Sequence, residues 1–475
     1  MQTRIVRVVF LVLACLAVLL VKPPDMRAQE KLDFPVIYDT LPNGLKVVLS
    51  PDSSAPIAVV AVYYHIGFRI EPRDRTGFAH LFEHLMFQGS QNLGKMEFVK
   101  LIQANGGILN GSTRFDFTNY FEIVPSNTLR TMLWAEADRM RGLDITQENL
   151  TNQQGVVKNE VRVNVLNQPY GGFPWLDMPQ VANTNWYNAH NFYGDLADID
   201  AATLEDAKSF FEQYYSPNDA ALVVVGDFDP AQVKEWIQEY FANIPSSERP
   251  PMPDLTEPRQ TEEKRVTKKD PLAPRPALAI AYHMPERGTP EYYAMGVIDQ
   301  MLLQGKDSRL YQALVQRRGL TGDVSGGINL LGNMYDYEGP MLWMASLIHD
   351  KDVPADSILG VMDAVIDSLR TTPVDRATLD RALVKMRSDL YDTLGGMYGF
   401  GRADLLASFA LFDGDPARIN RIEDHLRAVT PELIQKTAQE YLRPTNRTVL
   451  LVEPGAAADP ADSTATSRSN DRRGS

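Results

Sequence analysis

The run His80-Leu-Phe-Glu-His84 brings three side chains that can do chemistry into five residues. Histidines four positions apart lie on the same face of a helix, and Glu83 lies beside them. Two neutral imidazoles at this spacing can share one Zn²⁺, and the neighbouring carboxylate can accept a proton from a water molecule. The alternative is a pair of partly buried helix histidines with a surface glutamate between them. We predict a helix that begins near Thr76-Gly77 and carries a zinc site.

The wider run from Arg75 to Gly89 resembles the zinc motif of the insulinase/pitrilysin peptidases, the inverzincins, which include the mitochondrial processing peptidase. This resemblance implies one Zn²⁺ per chain, held by His80, His84 and a third ligand further along, with Glu83 as the general base. Glu160 stands at the position that the family pattern gives to the third ligand. Taken alone, Glu160 would be read as a solvated glutamate on a helix, as most glutamates are.

Composition limits the function classes. The chain has 475 residues, which predicts two to four domains, and its hydrophobic content of 44% is that of a globular protein. Its net charge of −14 argues against nucleic acid as a partner, because phosphates need a basic surface.

The N-terminal segment carries the signs of export. Arg4 and Arg7 precede an apolar run over 8–21, so we predict a signal peptide over 1–28 and a periplasmic protein without a stable membrane span after cleavage. An uncleaved N-terminal anchor is the alternative. The single cysteine, Cys15, lies inside this run, and the mature chain would therefore have neither disulfides nor a thiol nucleophile.

Two stretches of the chain repeat, which indicates two homologous halves. The segment from Tyr64 to Gly89 resembles that from Tyr282 to Gly305, and a later match joins the regions near 203–226 and 430–452. The positions opposite His80, Glu83, His84 and Glu160 hold Gly296, Asp299, Gln300 and Arg387. Only the first half can therefore bind zinc.

The predicted fold class is α+β, with two homologous α/β-sandwich halves joined by a linker. We predict a zinc-binding half over 29–245, a proline-rich and charged linker over 246–275, a half without zinc ligands over 276–455, and a disordered tail over 456–475. The family resemblance implies that the halves form a clam shell around a chamber.

A glycine-rich segment that begins at Asn105 then alternates in polarity, as an exposed edge strand does. In the family, the equivalent strand binds substrate backbone by adding it to the sheet, which implies substrate-binding roles for Asn110 and Gly111. An ordinary hairpin is the alternative.

Three positions depart from the family pattern. Gln153 stands where a second glutamate is usual, and its amide can still hydrogen-bond a ligand from outside the metal's own shell. Val315 and Gly322 replace an arginine and a tyrosine that close over the substrate carbonyl. Arg317, Arg318 and Tyr311 are nearby candidates to replace them. A second subunit could also supply the pair, so both a homodimer and a heterodimer with a zinc-free homologue stay open.

These observations predict a zinc metalloendopeptidase that hydrolyses short or unfolded polypeptides with a zinc-activated water. The alternative is a non-catalytic scaffold or partner subunit of a heteromeric peptidase. Degenerate zinc motifs mark such subunits, and the motif in this chain is intact.

Overall fold

The computed structural model describes residues 31–455. The predicted signal peptide (1–28) and C-terminal tail (456–475) lie outside the described residues. Within the described part of the chain, no helix combines the length and the apolar character that crossing a membrane requires.

The first half is built on a six-stranded sheet with the order β1-β2-β6-β3-β5-β4. Its strands are β1 (Ile37–Thr40), β2 (Lys46–Pro51), β3 (Ile57–Tyr64), β4 (Ile108–Thr113), β5 (Thr118–Pro125) and β6 (Ala220–Gly226). Strand β3 is central because its β-branched and aromatic residues suit a strand that is buried along nearly all its length. The helices are α1 (Phe78–Leu85), α2 (Glu97–Ala104), α3 (Leu129–Arg141), α4 (Gln147–Val161), α5 (Asp177–Ala182), α6 (Trp186–Ala189), α7 (Leu196–Ala201), α8 (Leu204–Tyr214) and α9 (Pro230–Phe241).

The second half has a five-stranded sheet with the order β7-β11-β8-β10-β9. Its strands are β7 (Lys264–Asp270), β8 (Ala277–His283), β9 (Ser325–Ile328), β10 (Leu342–Ile348) and β11 (Arg447–Pro454). Its helices are α10 (Pro290–Leu302), α11 (Arg309–Tyr311), α12 (Ala355–Thr371), α13 (Arg376–Gly395), α14 (Phe400–Ser408), α15 (Ile422–Arg427) and α16 (Pro431–Tyr441).

The two sheets have the same topology once β1 is set aside. In each, a parallel pair at one side (β2 with β6, and β7 with β11) is followed by three antiparallel strands, the last of which is an edge. Helix α1 packs on α4 as α10 packs on α13. The predicted fold class of two homologous α/β halves is confirmed.

The predicted linker was too long at its C-terminal side. Residues Lys264–Asp270 form β7, which pairs in parallel with β11 and belongs to the second sheet. Charged residues in this segment suggested a connection without structure, but an edge strand tolerates charges because its outer side meets water. The connection between the sheets therefore ends before Lys264.

The halves pack directly against each other through an apolar core that contains residues of both. The ring of Phe121 stacks on that of Phe400 with 3.7 Å between centroids. Buried Arg69 donates to the Asp116 carboxylate at 2.7 Å and to the carbonyl oxygen of Pro340 at 2.6 Å. Because these contacts join residues near the zinc motif to the second half, the second half helps to position the first.

Candidate metal centre

Helix α1 is held at its N-terminus by a buried carboxylate. The backbone N–H groups of Gly77 and Ala79 donate to Glu71 at 2.8 and 2.6 Å, which satisfies donors that a helix start leaves free. Gly77 has a φ of +83°, and a Cβ there would lie 2.7 Å from the Ile199 side chain. Both features fix where the first turn, and therefore His80, is placed.

Helices α1 and α4 bring the three predicted ligands together. Nε2 of His80 lies 3.6 Å from one carboxylate oxygen of Glu160, and Nε2 of His84 lies 3.3 Å from the other. One candidate ligand atom from each residue lies within 4.8 Å of the others. Hydrogen bonds to His80 and then His84 hold the pKa of Glu160 well below its ordinary value, despite partial burial.

This donor set fits Zn²⁺. Two imidazole nitrogens and one carboxylate oxygen are the protein ligands of a common class of catalytic zinc sites, which leave a fourth position for water or substrate. His80 is 5% exposed, and its Nδ1 is buried without a hydrogen-bond partner among the described residues. The Glu160 side chain is 33% exposed, so the cluster is open on that side. No second cluster of this kind occurs within residues 31–455.

Glu83 is oriented by a residue that sequence reasoning missed. The hydroxyl of Thr113, the last residue of β4, donates to the Glu83 carboxylate at 2.7 Å. Alternate residues of a strand share a face, so Thr113 lies on the same face as the predicted Gly111. That alternation was the available signal, and it links the candidate base to the candidate substrate strand.

Strand β4 is an edge strand that packs beside α1 and pairs only with β5 among the named strands. Asn110 is exposed, and its side-chain oxygen accepts a hydrogen bond from the Gly111 amide at 2.9 Å. The structure therefore places both predicted substrate residues on the free edge nearest the metal cluster.

The predicted role of Gln153 is not supported by a contact. Gln153 is buried on α4, but within residues 31–455 no hydrogen bond joins its amide to His80, His84 or Glu160. Its role outside the ligand shell stays a prediction.

The candidates for the missing arginine–tyrosine pair lie in the second half. Val315 belongs to a π-helical turn, Gln312–Gln316, and Gly322 is exposed. Arg317 and Arg318 are exposed, and in the described part of the chain neither donates a side-chain hydrogen bond to the first half. That Arg317, Arg318 or Tyr311 replaces the pair stays a prediction.

The matching place in the second half holds a cavity of about 510 Å³. There Asp299, opposite Glu83, accepts hydrogen bonds from Trp343 at 2.7 Å and Gln304 at 3.0 Å. Burial raises the pKa of Asp299 to about 6. Arg387, opposite Glu160, donates to Glu423 at 2.8 Å. Gly296 and Gln300 line this cavity at the positions that the two histidines hold in the first half, so the donor set for a cation is missing there.

Comparison with known proteins agrees with the two-half architecture. The model of the family "Insulinase (Peptidase family M16)" matches residues 46–170, and that of the "Peptidase M16 inactive domain" matches 201–386. The zinc protease PqqE of Helicobacter pylori is 26% identical over 423 residues, which are 87% of this chain and 92% of that protein.

Solved structures share the fold. A protease from Helicobacter pylori superposes with a TM-score of 0.82 at 24% identity, covering 89% of this chain and 100% of that one. The periplasmic protease PqqL from Escherichia coli gives a TM-score of 0.71 at 16% identity, and the match covers 94% of this chain but 51% of that one. On the family-model matches over residues 46–170 and 201–386, the chain belongs to the insulinase, or M16, family of peptidases.

Proposed function

We propose that this chain is a zinc metalloendopeptidase that hydrolyses peptide bonds in short or unfolded polypeptides. The observation that carries the proposal is the convergence of His80, His84 and Glu160 beside Glu83, next to a free strand edge. The relatives that carry the name zinc protease support the same class of activity.

The proposed mechanism assigns one task to each side chain. His80, His84 and Glu160 would hold Zn²⁺, which when bound would polarise the scissile carbonyl and lower the pKa of water toward ~7. Glu83 accepts the proton of the attacking water at its carboxylate and transfers it to the leaving amine. Thr113 holds one oxygen of that carboxylate, so the other stays free to accept the proton.

Substrate backbone would pair with the free edge of β4. Pairing through main-chain hydrogen bonds needs an extended peptide and reads few side chains, which favours unfolded over folded substrates. The Asn110 side chain now accepts from the Gly111 amide, and it must turn away before a substrate carbonyl can do so. Asn110 and Gly111 are the proposed substrate-binding residues.

A non-catalytic scaffold is the second candidate, and the complete ligand set disfavours it. The second half has lost its ligands, since Gly296 and Arg387 stand opposite His80 and Glu160. The first half has kept all three ligands and the base.

We further propose that the chain works as a dimer, either with a second copy or with a zinc-free homologue. Val156, Val163 and Leu166 are 41%, 46% and 56% exposed on α4 and the π-helical turn Arg162–Leu166 that follows it, on either side of Glu160 in sequence. Exposed apolar surface of this kind commonly marks a contact surface, which here would be covered by substrate or by a second subunit. A chamber closed in this way would exclude folded proteins.

Export to the periplasm is the proposed location. The predicted signal peptide motivates it, and PqqL, which shares the fold, is described as periplasmic.

The function is tested by metal analysis and peptide cleavage on the purified mature chain. We expect one zinc per chain and cleavage of unstructured peptides that stops on chelation and returns with added zinc. Two zincs per chain, or full zinc occupancy without cleavage by the chain alone or with any zinc-free homologue, would contradict the proposal.

The missing pair gives a second expectation. A zinc-free homologous subunit that carries arginine and tyrosine at the positions of Val315 and Gly322 should raise the cleavage rate at least about tenfold, because one oxyanion donor is typically worth ~10²–10³ in rate. The same subunit with those two residues changed to valine and glycine is the control. An unchanged rate would favour the homodimer.

A further inference from the structure

Tyr193 lies against the first zinc ligand although no motif marked it. Its ring packs on that of His80 with 5.3 Å between centroids and on Trp175 with 5.4 Å. The residue is only partly buried, so part of its side chain is accessible to solvent.

The backbone around Tyr193 is locked to the start of α1. Its amide donates to the Asn191 side chain at 3.1 Å, and the next amide but one, of Asp195, donates to the Thr76 hydroxyl at 2.9 Å. Gly194 has a φ of +78°, and a Cβ there would lie 2.4 Å from the Gly77 nitrogen. The tyrosine therefore keeps a fixed position relative to His80.

The hydroxyl of Tyr193 is available as a donor. It makes no hydrogen bond to another residue within the described chain, whereas its ring is held on two sides. The ring contact with His80 places the hydroxyl beside the metal-ligand cluster, and a phenol hydroxyl is a hydrogen-bond donor at neutral pH.

We propose that the Tyr193 hydroxyl donates a hydrogen bond to the scissile carbonyl oxygen as negative charge develops on it. The inference rests on the proposed peptidase function. The proton stays on Tyr193 throughout, so the step is electrostatic stabilisation without proton transfer. This donor would replace the one that the second half lacks, because neither Val315 nor Gly322 can donate from its side chain to the scissile carbonyl oxygen.

The test is Tyr193→Phe, which keeps the ring against His80 and removes only the hydroxyl. We expect unchanged zinc content, a fall in kcat of ~10²–10³-fold and little change in KM, as for loss of an oxyanion donor. Calorimetry should show a similar loss of affinity for a phosphinic peptide, whose tetrahedral group imitates the transition state. Tyr38→Phe, a partly exposed tyrosine on β1, is the control and should match the wild type.

The outcomes separate the two proposals. Unchanged kcat and unchanged affinity for the phosphinic peptide in Tyr193→Phe would overturn the inference. If, in addition, Tyr193→Leu lost zinc while Tyr193→Phe kept it, the role of Tyr193 would be to pack its ring against His80. A wild-type chain that binds zinc but cleaves no peptide would refute the proposed function, while the affinity comparison would still decide the role of Tyr193.

Discussion

Glu83→Gln should keep one zinc per chain and lose turnover by ~10²–10⁴-fold, the usual contribution of a general base. The amide has nearly the same shape and can still bond to Thr113, but it accepts no proton at neutral pH. Glu83 is not among the clustered ligand atoms, so metal binding should not change. Zinc content and kcat measured on the same preparation check this expectation.

The matched control is Glu148→Gln, an exposed glutamate in the first turn of α4. It makes the same chemical change in the same half and should leave both measurements unaltered. If Glu83→Gln lost zinc in proportion to activity, Glu83 would be a ligand and another residue would be the base.

Glu160→Ala should abolish stable zinc binding together with activity. The substitution removes the only anionic member of the ligand set, so zinc affinity should fall by more than the ~10–100-fold that loss of an outer-shell partner costs. Titration with a competing chelator measures that affinity directly.

The fold without metal should survive this change, since Glu160 is partly exposed and contacts mainly the two histidines. Thermal unfolding of the apo forms, which should be nearly the same, provides the control. Wild-type zinc affinity in Glu160→Ala would place the third ligand elsewhere.

The sequence predicted correctly those features that depend on residues close together in the chain. The spacing of His80 and His84 predicted that both lie on one face of a helix, and α1 begins directly after the predicted start at Thr76-Gly77. The internal repeat predicted both halves and the loss of the site in the second. Such patterns depend on local periodicity, which a chain displays directly.

Contacts between residues far apart in the sequence could not be predicted from local periodicity. Thr113 meets Glu83 because an edge strand crosses beside α1, and Tyr193 meets His80 because a loop more than 100 residues later returns to Gly77. Neither residue carries a motif. Strand β7 was missed for a related reason, since its pairing partner β11 comes almost 200 residues later and its charges suggested a linker.

The hydrogen bond from the Gly111 amide to the Asn110 side chain also affects how the protein behaves when no peptide is bound to β4. An uncovered edge strand next to exposed Ile108 is a template on which copies of the chain could stack into aggregates. Because the Gly111 amide already donates to Asn110, an incoming strand gains no net hydrogen bond there unless it displaces the side chain. A strand that binds weakly therefore gains little stability by pairing with β4. Only a peptide that makes enough further contacts can displace the amide. The Asn110 side chain can thus disfavour edge-to-edge aggregation between copies of the chain when no peptide is bound.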